Sequence, residues 1–246
     1  MILATLVSAD AGFGYYEGMF AGLRDYGPEN ALPVLLRIVE DPNHQSRLLE
    51  FTGTRDRFNR ALRELAIMAI GDLGDKGLIP RLKKALKETT SFGLDDEYGD
   101  LIVALYKVGD RDSFRDCVIR LEKEAAEALS DNLKEDGYEK LFYVGLVQNR
   151  VGLRKAAEKS YRNLLKLIEN EEGPRRPDVY PDTLYNLACL EALQGETAAA
   201  VKTLRRAVQA GFKDQGWIEK DGDLNSIRDH AGYRELMAEK ALFKAD

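Results

Sequence analysis

The chain has few cysteines, histidines and prolines, and each shortage removes a class of function. Its two cysteines, Cys117 and Cys189, form no Cys-x-x-Cys pair, so neither a disulfide framework nor a thiolate metal site is expected. Both sit in predicted helices and read as small buried apolar residues. His44 and His230 are the only histidines, and neither has a partner at His-x-x-x-His or His-Glu-x-x-His spacing. There is no Gly-x-Ser-x-Gly and no phosphate loop. Gly12-Phe13-Gly14 is not followed by the third spaced glycine of a dinucleotide-binding turn. No apolar run approaches the roughly 18–20 residues of a membrane span. No alternating Val/Ile/Thr run is long enough to force a strand. The expectation is therefore no cofactor, no metal and no catalytic set.

Charge narrows the partners further. Net charge is −6 and the pI is near 5.2. Nucleic-acid binding needs clustered Lys and Arg on phosphates, and Arg175-Arg176 and Arg205-Arg206 are pairs rather than a stripe. The expected partner is a protein or peptide. Asp95-Asp96-Glu97 with Asp100, and Asp221-Gly222-Asp223, invite a cation, but their spacing is not that of an EF-hand. Helix capping and a turn account for them.

What is present is helical text with a repeat. Seven prolines fall mostly near element ends, between long Ala/Leu/Glu/Lys/Arg segments that favour helix. In Tyr185–Phe212 two short helices turn at Gly195. Leu184, Leu187 and Ala188 form one apolar face, and Ala200, Leu204, Ala207 and Val208 form another. Gly211 closes the second helix. Gly27, Gly74, Gly109, Gly152 and Gly195 mark comparable turns, 47, 35, 43 and 43 residues apart. Such periods belong to paired-helix arrays.

The predicted hairpins are Gly12–Tyr26 with Glu29–Glu40, Arg57–Leu73 with Leu78–Glu88, and Asp95–Val108 with Asp112–Leu129. Tyr15, Tyr16, Met19, Phe20 and Leu23 crowd the first helix as a packed face. Asp41–Asp56, holding His44, reads as an insertion. Beyond the polar junction Ser130–Asp136 come Glu139–Asn170 and Asp182–Gly211, separated by the proline-rich Glu171–Pro181. Trp217, Ile218, Leu224, Ile227, Tyr233 and Leu236 are expected to fold over the last helix pair as a cap.

Two resemblances follow from these residues. Leu62-Arg63, Leu65-Ala66, Ala69-Ile70, Leu73-Gly74-Asp75, Ile79-Pro80-Leu82 and Leu86 resemble a HEAT-type repeat of the kind shared with bacterial phycobilin-lyase-like proteins. Val144-Gly145, Gly152, Ala157, Tyr161 and Leu164-Leu165, then Leu184, Leu187-Ala188, Gly195, Ala200, Leu204 and Ala207, resemble tetratricopeptide repeats with a bacterial-type closing segment. Gln148 and Glu191 depart from that family, which usually has an aromatic residue there. The resemblances imply an all-α fold, an α-solenoid of about five helical hairpins plus a C-terminal cap, with residues 1–130 HEAT-like and 131–246 tetratricopeptide-like.

They also imply a non-enzymatic scaffold or adaptor that binds a partner on its concave face. Glu139, Phe142, Leu146 and Asn149 fall on that face in the first repeat. Asp182, Tyr185, Asn186 and Cys189 do so in the second. The Lys and Asn of a carboxylate clamp are missing there, so the groove suits an amphipathic helix or an apolar peptide. Packing of these side chains within the chain is the alternative. Rival functions are a regulatory or structural C-terminal part of a larger protein or assembly, and an enzyme on a HEAT-like scaffold. A cytoplasmic location is expected. Export, including to a periplasm, is the alternative if residues 1–9, with Val7-Ser8-Ala9 before Asp10, end a signal peptide.

Overall fold

The computed structural model describes residues 28–40, 55–89, 97–171 and 176–243. Among the described residues every regular element is helical, so the chain is all-α. The predicted helix Gly12–Tyr26 with its aromatic face, Gly27, His44, Asp95, Asp96 and Pro174 lie outside the described residues. The helices are α1 (Pro28–Glu40), α2 (Arg55–Leu73), α3 (Ile79–Glu88), α4 (Glu97–Lys107), α5 (Arg111–Ser130), α6 (Lys134–Arg150), α7 (Arg154–Glu169), α8 (Val179–Leu193), α9 (Thr197–Ala210), α10 (Gln215–Lys220) and α11 (Ala231–Ala238). The chain forms two compact units that divide between Cys117 and Val118, inside α5.

The sequence placed the junction at Ser130–Asp136. That segment is a tight turn into α6: Asn132 has φ 63°, and the Leu133 N–H donates to the Ala128 carbonyl at 2.8 Å. The division falls earlier because the two ends of α5 have different neighbours. At its start the Phe114 ring meets Tyr106 edge to face at 4.9 Å, and the Arg111 guanidinium lies 3.3 Å from the Tyr106 ring centre. At its end, Leu129 lies against Gly137 of α6.

In the first unit, α2 packs against α1 and α4, and α3 packs against α4. Ala31, Leu35, Ile38, Ala66, Ile67, Ile70, Leu82, Leu101, Ala104 and Leu105 share one buried cluster. Asp75 turns the α2–α3 connection by accepting the Gly77 N–H at 2.8 Å. Arg63 of α2 donates through Nε and Nη2 to the two carboxylate oxygens of Glu97 on α4, a two-point contact that also sets the helices in register. Asp110 accepts the Ser113 N–H and hydroxyl at the start of α5 and pairs with Lys83 at 2.8 Å.

In the second unit, α6 and α7 form one hairpin and α8 and α9 another, with α8 packed on α7. The turn glycines Gly74, Gly109, Gly152 and Gly195 all have positive φ, between 69° and 105°, where a Cβ is strained. The α9 face Ala200, Leu204, Ala207 and Val208 is fully buried. Pro181, read as part of the connection, belongs instead to the first turn of α8, where a missing N–H costs no helical hydrogen bond.

The two polar departures have partners. Gln148 accepts the Ser160 hydroxyl at 2.8 Å across the α6–α7 hairpin. Glu191, only 2% exposed, accepts from Arg162 at 2.9 Å across α7 and α8. Arg162 also donates to Glu158, which accepts from Gln194, so this seam is held by a charged network rather than an aromatic plug.

The closest approach is at Gly145 of α6. A Cβ there would lie 2.4 Å from the ring of Tyr161, which is itself fully buried. Gly145→Ala is expected to cost about 1–3 kcal/mol through overpacking, read as a lowered denaturation midpoint. Gly216→Ala, where the new methyl meets only an ordinary 3.6 Å contact, is the control and should hold or raise it. An unchanged midpoint for Gly145→Ala would contradict the α6–α7 contact.

Candidate partner-binding face

The side chains expected on the partner face separate into two sets. On α6, Glu139 is exposed and Leu146 and Asn149 are half-buried. Their spacing puts all three on one side of the helix. On α8, Asp182 is exposed and Asn186 is half-buried, its amide donating to the Asp182 carbonyl at 2.9 Å. α6 and α8 touch, so these residues belong to one layer. Phe142, Tyr185 and Cys189 are instead interior, at 7%, 5% and 4% exposure. Phe142 packs tilted on Tyr161, ring centres 5.8 Å apart.

Tyr185 and Cys189 are buried by the chain's own closing segment. The Phe212 ring stacks parallel on Tyr185 at 4.0 Å. The Tyr185 hydroxyl donates to Asp221 Oδ2 at 2.5 Å, and the Cys189 thiol points at the same oxygen from 3.6 Å. Asp221 Oδ1 accepts the Asp223 N–H at 2.9 Å, and the Ser226 hydroxyl donates to the Ala192 carbonyl at 2.7 Å. Asp221-Gly222-Asp223 is thus a turn and cap, as its sequence indicates. Its first carboxylate has the added task of pinning the segment to α8. Asp221 and Phe212 were missed as partners of α8 because they lie over 25 residues from Tyr185 and no local spacing links them.

Of the six residues expected in the cap, Ile218, Leu224, Ile227, Tyr233 and Leu236 are buried. Each aliphatic side chain contributes about 1.5–3 kcal/mol by leaving water. Trp217 is not part of that core and is 58% exposed. α10 has only six residues, and its inward position is taken by Ile218. The residue before it points about 100° away.

The electrostatics of this interior oppose nucleophilic chemistry. Burial pushes the Cys189 thiol up, and the charges of Asp221 and Asp223 push it the same way. A thiol held protonated is a poor nucleophile. Burial likewise raises Tyr185, beside Cys189 and Asp221. Burial also raises the Asp223 carboxyl, as does the Asp221 charge, while Arg154 opposes them. Among the described residues no cluster of His, Cys, Asp and Glu is arranged to hold a metal, and no helix is long and apolar enough to cross a membrane. Comparison of the chain with protein-family models, curated proteins and solved structures gives no match.

Tyr185→Phe is expected to cost about 1–2 kcal/mol, because Asp221 loses a donor in a partly buried setting. A denaturation midpoint equal to wild type would show that this bond does not anchor the segment. Asp223 has a raised carboxyl pKa in the folded state, so its contribution favours low pH and is lost as pH rises through that value. Asp223→Asn should therefore melt above wild type at neutral pH. The gap should close once pH falls below the ordinary carboxylate pKa of about 3.9. A gap that is constant with pH would refute the titration as its source.

Proposed function

We propose that this chain is a non-enzymatic protein-binding scaffold and that the outer side of α6 and α8 is its contact face. The observation that carries the reading is one helical layer whose outward residues have not been consumed by the fold. Glu139, Leu146 and Asn149 on α6 and Asp182 and Asn186 on α8 remain accessible, whereas the side chains around them are locked in the interior. The mechanism is geometric. Glycine-turned hairpins hold the layer rigid, so a partner meets a preformed surface and little ordering cost falls on the scaffold. Leu146 supplies apolar contact, and the amides and carboxylates supply direction. The repeat resemblances support this reading, as does the raised, buried state of Cys189, which disfavours thiol chemistry.

Phe142 and Tyr185 act here as supports behind the face. Replacing them with glutamate would bury charge and unfold the unit. The suitable variant is Leu146→Glu/Asn149→Ala/Asn186→Ala, checked for wild-type circular dichroism and melting. Affinity capture from the host lysate, with the retained proteins identified by mass spectrometry, then compares the two. A partner held by wild type and reduced at least tenfold by the folded variant is expected. A partner held equally by both would overturn the assignment of this face.

A further inference from the structure

Helix α7 carries an unbalanced charge pattern. Its first turn has no acidic residue, and it opens with Arg154 and Lys155 at the positive end of the helix dipole. Lys155, Lys159, Arg162 and Lys166 then follow at one-turn spacings, putting like charges at i, i+4 twice. The two carboxylates of the helix are engaged by other partners than its lysines. Glu158 pairs with Arg162 one turn along the same helix and accepts from Gln194, and Glu169 accepts from Arg206 and Tyr180. Lys155, Lys159 and Lys166 are exposed and form no ion pair among the described residues. They lie on the side opposite the buried face Ala157, Tyr161, Leu164, Leu165 and Ile168, and span about 16 Å along the axis. Exposed Leu167 adjoins them. A repulsive arrangement kept without an internal partner points to an external one.

The complementary surface is on the same chain. Glu135 and Glu139 of α6, also at i, i+4, and Asp182 of α8 are exposed carboxylates with no ion pair among the described residues. Gly145 and Gln148 turn toward α7 and these carboxylates turn away from it. The hairpin layer therefore has an acidic outer side and a basic outer side. We propose that the outer face of α7 docks onto the α6/α8 face of a second copy of this chain. The proposal rests on the α6/α8 face being a contact surface and names its occupant. The two patches differ, so the contact is head to tail, and copies add on at both ends unless a ring closes.

Sedimentation velocity of the full chain across a concentration series, at low and high salt, tests it. At low salt the mass should rise with concentration, and high salt should reverse the rise because exposed charges are screened. Lys155→Glu/Lys159→Glu/Lys166→Glu and Glu135→Lys/Glu139→Lys/Asp182→Lys, each with a wild-type circular dichroism spectrum, should both stay monomeric alone. Mixed together, they should associate. Lys87→Glu/Lys202→Glu/Lys220→Glu makes the same change in net charge at exposed lysines elsewhere and should associate like wild type. A wild type that is monomeric throughout, a mixture that does not associate, or a control that fails equally would each overturn the proposal. A monomer that still captures a different protein through Leu146, Asn149 and Asn186 would overturn self-association alone and leave the α6/α8 contact face standing.

Discussion

Helix α8 buries side chains around nearly its whole circumference, and the second unit is arranged to supply that cover. A helix apolar on all sides cannot rest on one neighbour. Here α7 and α9 take two sides, and the closing segment takes a third through Phe212, Asp221, Leu224 and Ile227. Without that segment, Tyr185 and Cys189 would stand open and Asp221 would have no reason to be near them. The closing segment is therefore part of the core.

The same need explains how charge is distributed. Arg162 reaches across the α7–α8 seam to Glu191, a carboxylate almost wholly removed from water. A buried carboxylate without a cation is costly, so the arginine is held to the seam by its partner. Glu158 and Glu169 are bound into neighbouring bonds in the same way. What stays on the outside of α7 is its lysines. The lysines on the outer side of α7 are what these bonds leave without a carboxylate, and the contact surfaces proposed above are drawn from that remainder.

The repeating text carried much of the fold. Positive-φ glycines at Gly74, Gly109, Gly152 and Gly195 and the apolar faces of α8 and α9 were readable because each depends on neighbours within a turn or two. The cap was readable in five of its six residues for the same reason. The partner face was only half readable. Periodicity grouped Phe142, Tyr185 and Cys189 with Leu146, Asn149 and Asn186, whereas the first three are interior and the others are half-buried. It had no means of knowing which of those residues another part of the chain would cover.

Sequence alone therefore determined the helical class, the turns, the pairing of α6 with α7 and of α8 with α9, and the absence of recognisable catalytic motifs, all of which rest on local backbone preference and short-range periodicity; the expected pairing of α2 with α3 gave way to packing of both on α4. Tertiary structure decided where α5 divides between the two units, which side of α8 the closing segment occupies, which aromatic residues are interior, and which lysines are left without carboxylates. Those outcomes depend on contacts between residues far apart in the chain. Their energies are settled by burial and pairing in three dimensions, and no spacing along the sequence encodes them.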